Sequence, residues 1–102
     1  MNPVAQRIAI AKACGWKIKY TTTNVGVPFG TDPSDGLQDH VPDYLNDLNA
    51  MHEAEEILDD NQWEYYWYQL HRITPGRPTC VCHAKAALRA EAFLKTLSLW
   101  KP

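Results

Sequence analysis

The sequence predicts an α+β fold in which a small β-sheet is sandwiched between α-helices. Segments with apolar residues at helical spacing outnumber segments that alternate apolar and polar residues, and the two kinds do not follow one another regularly as in a parallel α/β array. A chain of 102 residues, 45% hydrophobic and 22% charged, has the size and composition of one globular domain with one core. We therefore expect residues 1–102 to form a single α+β domain.

The first two elements carry clear local signals. Asn2 is a favoured N-cap, Pro3 suits the first helical position, and Gly15 suits the exit from the helix. The residues after Gly15 alternate apolar and charged side chains from Trp16 to Tyr20. This alternation predicts a strand over 16–23 with one buried face.

A long loop is predicted at about 24–43, because this stretch holds three glycines, three prolines and several Asp and Asn residues. A short extended piece at 25–29 fits within it. Connections of this length in a small domain are usually functional or mobile, and we expect the loop to contribute to a contact surface.

Two helices are predicted next, at 46–58 and 59–73. Asp59 and Gln62 have the spacing of a capping box at the start of the second helix. The density of Trp and Tyr in 59–73 also suits a strand, but the helical interpretation is preferred. A strand at 79–83, paired with the first strand, and a helix at 84–97 complete the order helix, strand, loop, helix, helix, strand, helix.

Charge is distributed unevenly along the chain. No Lys or Arg lies between Lys19 and Arg72, and this stretch holds eleven of the twelve acidic residues. Two interpretations remain open: the acidic helix packs beside basic ones and the charges cancel, or an acidic face is exposed to a basic partner. Direct binding of nucleic acid is not expected, because the basic residues are sparse and not interleaved with aromatics.

The sequence predicts neither a membrane segment nor a secretory signal, since it has no long apolar run and no basic, apolar start. Three cysteines without a framework spacing are typical of reduced thiols in a cytoplasm. Cytoplasmic localisation is therefore expected.

No cofactor, metal or catalytic site is predicted. Cys80, Cys82 and His83 are suitable zinc ligands, but a second ligand pair is missing, and on a strand His83 faces away from the two cysteines. A metal-binding structural module stays as an alternative. The helix at His52 lacks the second histidine of the metalloprotease motif, with Glu56 in its place, and no nucleophile or phosphate-loop motif is present. The sequence thus indicates a protein that is not an enzyme.

The densest feature is a cluster of five aromatic residues between Trp63 and Tyr68, which cannot all face inward on one helix. Exposed Tyr and Trp are enriched at binding sites. The residues expected to bind a partner are Asp47, Glu53, Glu55, Glu56, Asp59, Asp60, Tyr65 and Tyr68. An alternative is a small-ligand site for a nucleotide signal, formed by Trp67, His71, Arg72 and Arg77.

Three stretches in order resemble a known family: IAIAKACGWK from Ile8, PDYLNDLNAMHEAE from Pro42 and RAEAFLKTL from Arg89, together about a third of the chain. They are similar to small phage and prophage proteins of the phage ABA-sandwich domain type. The resemblance implies a sheet between helical layers, a phage or prophage origin and a bacterial cytoplasm, but supplies no functional residues.

The hypothesis that follows is a non-enzymatic phage accessory protein that binds and inhibits a host factor. The expected partner is a basic host protein that handles nucleic acid or acts in defence. Association with further copies of the same chain is an additional option.

Overall fold

A computed structural model of the protein describes residues 1–21, 28–76 and 84–101, with the backbone alone for Tyr20 and Thr21. Within these residues the elements in chain order are α1 (Pro3–Ala13), β1 (Lys17–Thr21), β2 (Pro28–Thr31), β3 (Gln38–His40), α2 (Leu48–Glu55), α3 (Asp60–Ile73) and α4 (Ala86–Thr96). Four helices and a small antiparallel sheet confirm the predicted α+β class. The strand predicted at 79–83 lies outside the described residues.

Side-chain caps determine where the first three helices begin. The side-chain oxygens of Asn2 and Asp47 accept hydrogen bonds from the backbone N–H groups three residues further on, at 2.7 and 3.2 Å. Asp59 and Gln62 form the predicted capping box, each side chain accepting from the other residue's backbone N–H. The helical interpretation of 59–73 is therefore confirmed.

The stretch predicted as a loop at about 24–43 instead contains β2 and β3, which pair antiparallel with each other, while β2 also pairs with β1. Gly30, which suggested a turn, lies in the middle of β2. A Cβ at this position would collide with the carbonyl oxygen of Lys17 and lie 3.0 Å from the Cα of Ile18. The close approach of the two strands therefore requires a glycine that sequence patterns associate with loops.

Helix α4 lies at the centre of the helical packing. It contacts α1, α2 and α3, and α1 also contacts β1 and β2. The largest fully buried hydrophobic side chains of the core are those of Ile10, Met51, Tyr66, Leu70, Phe93 and Leu94. Because α2 and α3 each bury one face against this core, their opposite faces are left to the solvent.

The C-terminal end of α4 forms a Schellman motif. The N–H of Leu99 donates to the carbonyl of Leu94 at 2.8 Å, and the N–H of Ser98 donates to the carbonyl of Lys95 at 3.2 Å. Ser98 has a φ of 59°, a left-handed conformation for which glycine is the usual residue. After this turn the chain reverses, and the Trp100 ring lies 5.6 Å from the Lys95 ammonium.

Candidate partner-binding surface

The solvent-exposed parts of α2 and α3, including their capping residues, carry six carboxylates, here called the acidic surface: Asp47, Glu53, Glu56, Asp59, Asp60 and Glu64. Five of them belong to the predicted partner-binding set, and Glu64 adds to it. None forms an ion pair with a Lys or Arg in the part of the chain that the structure describes, where such pairs are confined to Glu55–Arg89 and Glu91–Lys95. The acidic surface therefore keeps its negative charge toward the solvent.

Glu55 is the exception, and its predicted place on the exposed acidic face is wrong. The residue is only 5% exposed, and its two carboxylate oxygens lie 3.2 and 3.4 Å from Nη1 of Arg89, which is buried as well. Glu55 follows Met51 by one helical turn and so shares the inner side of α2 with it. Arg89 also donates from Nε to the carbonyl of Ala84 at 3.1 Å, so the buried charges are matched internally.

The hydroxyl of Tyr66 adjoins this pair and has no hydrogen-bond partner within the described residues. Burial raises the pKa of Tyr66 well above its ordinary value, and the negative charge of Glu55 raises it further, while Arg89 opposes the rise. The Tyr66, Glu55 and Arg89 cluster is closed to the solvent, so its role is structural.

Tyr65 and Tyr68 lie at the surface, as expected, with 50% and 57% of their areas exposed. Their ring centroids are 6.4 Å apart. The guanidinium of Arg72 lies 5.9 Å from the centre of the Tyr68 ring, within range of a cation–π contact. This flank of α3 thus combines two exposed phenols with a cation.

The other flank of α3 carries two tryptophans. The rings of Trp63 and Trp67, one helical turn apart, are stacked at 6.5 Å with an interplanar angle of 24°. Together with Glu64 they line a hollow of about 310 Å³. Trp63 is 42% exposed, although it is not among the residues predicted to bind a partner. The sequence feature that indicates Trp63 as a surface residue is the pair of tryptophans, Trp63 and Trp67, with the acidic Glu64 between them.

The alternative ligand site does not assemble as predicted among the described residues. Trp67 contacts His71 edge-on at 5.9 Å, whereas Arg72 lies on the flank with Tyr68. Arg77 lies outside the described residues. Arg72 instead lines an open groove of about 460 Å³ between α3 and the end of α4, together with Tyr65, Gln69, Ile73, Lys95, Ser98 and Trp100. Sequence reasoning missed this groove because its two sides are far apart along the chain.

Across residues 1–21, 28–76 and 84–101, no three or more His, Cys, Asp and Glu side chains are grouped to hold a metal ion. Cys80, Cys82 and His83 fall outside these ranges. Cys14 is a free thiol in this part of the chain, and burial raises its pKa to about 11, which disfavours the reactive thiolate. None of the described helices has the length and apolar character needed to cross a membrane.

The fold and surface define an α+β domain with an acidic surface that is flanked by aromatic side chains. Comparison with protein-family models, curated proteins and solved structures finds no match to the chain.

Proposed function

We propose that the chain is a non-enzymatic, phage-encoded accessory protein that acts in the bacterial cytoplasm by binding and inhibiting a basic host protein. The observation that carries this proposal is the acidic surface, whose exposed carboxylates are not neutralised by Lys or Arg within the described residues. The phage setting rests on the resemblance of three stretches to phage ABA-sandwich proteins. Without a recognisable catalytic motif in the sequence, binding is the activity that the surface supports.

Two of the flanking cations, Arg7 and Arg89, contact groups other than the acidic surface, which favours an exposed acidic face over internal cancellation. Arg7 donates to the carbonyls of Val41 and Pro42 at 2.5 and 3.3 Å. Arg89 pairs with the buried Glu55. A surface of one sign accelerates the encounter with an oppositely charged protein and orients it before contact, at an ionic strength that does not screen the charges.

The exposed apolar side chains beside the carboxylates supply the contact area that charge alone lacks. Ile57 and Trp63 are each more than two-fifths exposed at the junction of α2 and α3. The stacked Trp63 and Trp67, with Asp60 and Glu64 nearby in the helix, suit a Lys or Arg of the partner. The aliphatic part of that partner side chain would cover an indole face, and its charged group would contact the carboxylate of Asp60 or Glu64. Buried Trp and Arg contacts of this kind commonly dominate binding energy.

The experiment is a pull-down of tagged protein from a bacterial lysate at moderate salt, with binding and inhibition then measured on the purified partner. The double variant Glu53→Lys/Glu56→Lys reverses two charges on the acidic surface and leaves Glu55 in place. The matched control, Asp35→Lys/Asp39→Lys, changes the net charge equally on exposed residues at and near β3.

The proposal predicts that the partner is lost in the first variant and retained in the control, with both variants folded. Undiminished binding by Glu53→Lys/Glu56→Lys would exclude the acidic surface as the site that binds the partner. An equal loss in both variants would show that net charge, rather than this surface, governs the interaction. Binding without any effect on the partner's activity would refute the inhibitory role.

A further inference from the structure

The groove between α3 and the end of α4 has the dimensions and chemistry of a small-ligand site. Its volume of about 460 Å³ lies within the usual range for such sites. Its lining combines two aromatic rings, Tyr65 and Trp100, with two cations, Arg72 and Lys95. Aromatic and cationic groups together favour a planar ring that carries a negative charge.

An amide lies in the lining. Gln69 is 6% exposed as a whole residue, and its side chain makes no hydrogen bond within the described residues, so its amide is available to the groove. An amide offers both a donor and an acceptor, which matches the edge of a nucleobase.

The two cations are not equivalent. Lys95 donates to Glu91 at 2.8 Å, so part of its charge is already neutralised. Arg72 is exposed, and in the described part of the chain its guanidinium makes no ion pair, lying only against the Tyr68 ring. Since the planar guanidinium can bind a phosphate through two parallel hydrogen bonds, Arg72 is the main anion contact of the groove.

The backbone beside the groove is strained. Ser98 adopts a φ of 59° at the position of the Schellman motif that glycine usually occupies. It lines the groove and lies between Lys95 and Trp100, which line it too. Retained strain of this kind is concentrated at ligand sites, where the surrounding structure maintains it.

From these features we infer that the groove binds a nucleoside phosphate. The phosphate contacts Arg72 and Lys95, the base stacks on Tyr65 or Trp100, and the Gln69 amide bonds to the polar edge of the base. Only Tyr65 is shared with the predicted partner-binding set, so the groove can function whether or not the acidic surface binds a protein.

The test is a titration of the whole protein with AMP, GMP, CMP and UMP, followed by amide and indole chemical shifts and by calorimetry. We expect shifts at Gln69, Arg72, Ser98 and Trp100 with at least one nucleotide. The corresponding nucleoside and inorganic phosphate should bind about tenfold more weakly, because each engages only half of the site. The acidic-surface variant Glu53→Lys/Glu56→Lys should bind the nucleotide like the unmodified protein.

Two variants separate recognition from folding. Arg72→Gln should weaken nucleotide binding by about tenfold through the loss of a charged hydrogen bond, while Lys19→Gln, which removes an exposed charge on β1, should not. Gln69→Leu should weaken binding without lowering the melting temperature, since the amide makes no hydrogen bond within the described residues that the substitution would remove.

Four results would overturn the inference. The first is the absence of groove shifts at millimolar concentrations of all four nucleotides. The second is that the shifts map to Trp63 and Trp67. The third is that Arg72→Gln and Lys19→Gln weaken binding equally. The fourth is tighter binding of benzoate than of any nucleotide, which would assign the groove to another class of ligand.

Discussion

Replacing Glu55 by glutamine removes the negative charge of the buried pair, whose carboxylate oxygens lie 3.2 and 3.4 Å from Nη1 of Arg89. The side chain keeps its shape, so the principal change is the loss of this charge beside the buried guanidinium. Removing one partner of such a pair typically costs about 3–5 kcal/mol of unfolding free energy. For 102 residues the unfolding entropy is about 0.2 kcal/mol/K, so the melting temperature should fall by roughly 15–25 °C.

The assay is urea unfolding followed by far-ultraviolet circular dichroism and tryptophan fluorescence. Glu56→Gln is the matched control, because it makes the same chemical change at the neighbouring, exposed position. This control should change stability by no more than about 0.5 kcal/mol. If Glu55→Gln is as mild as Glu56→Gln, the carboxylate of Glu55 does not lie in the interior and the reasoning fails.

A double variant tests whether the loss of stability in Glu55→Gln comes from the change in charge or from the change in packing. Glu55→Leu/Arg89→Met removes both charges and fills the space with apolar groups, which is often neutral for stability. The unfolding free energy of the double variant should remain about 1 kcal/mol below that of the unmodified protein, because the carbonyl of Ala84 loses the hydrogen bond from Arg89. A double variant less stable than Glu55→Gln would show that the pair is required for reasons other than charge compensation.

Four further measurements follow from the described contacts. Tyr66→Phe removes a buried hydroxyl without a partner, so urea unfolding should show unchanged or slightly higher stability; a loss above about 1 kcal/mol would contradict this. Because burial raises the pKa of Tyr44 and Tyr66, the folded state retains protons that the unfolded state releases near pH 10. Stability should therefore fall as the pH rises from about 9 to about 11, and less steeply in Tyr66→Phe; a slope identical in both proteins would refute the assignment. Ser98→Gly should raise stability by about 1 kcal/mol by relieving the left-handed backbone, and a lower melting temperature would disprove the strain. Gly30→Ala should lower the unfolding free energy by about 1–3 kcal/mol, because its Cβ would press on the backbone of β1. An unchanged unfolding free energy would show that β1 and β2 can move apart to make room for it.

Local signals were sufficient to predict the helices. The capping residues Asn2 and Asp59 act on backbone groups within three positions, so their effect is visible in a short stretch of sequence. The two exposed tyrosines could also be predicted, since five aromatics on one helix exceed what a single buried face accepts.

Features that depend on distant residues could not be predicted in this way. Glu55 looks like any other acid in its stretch, and only the position of Arg89, 34 residues later, makes it a core residue. Gly30 is typical of a turn in the sequence, and only the close approach of β1 explains why a strand needs glycine there. The groove likewise requires Gln69 and Trp100 to be brought together by the packing of α3 on α4.

The central position of α4 has a consequence for biosynthesis. Residues 86–96 cover the buried faces of three helices that leave the ribosome earlier, so those faces stay uncovered until α4 has been made. At a synthesis rate of about 5–20 residues per second, roughly 4–17 s pass between the completion of α1 and the completion of α4. During that interval Ile10, Met51 and Leu70 are available to chaperones or to neighbouring nascent chains. Variants that weaken α4 should therefore reduce the yield of protein in the cell more than their equilibrium stability suggests.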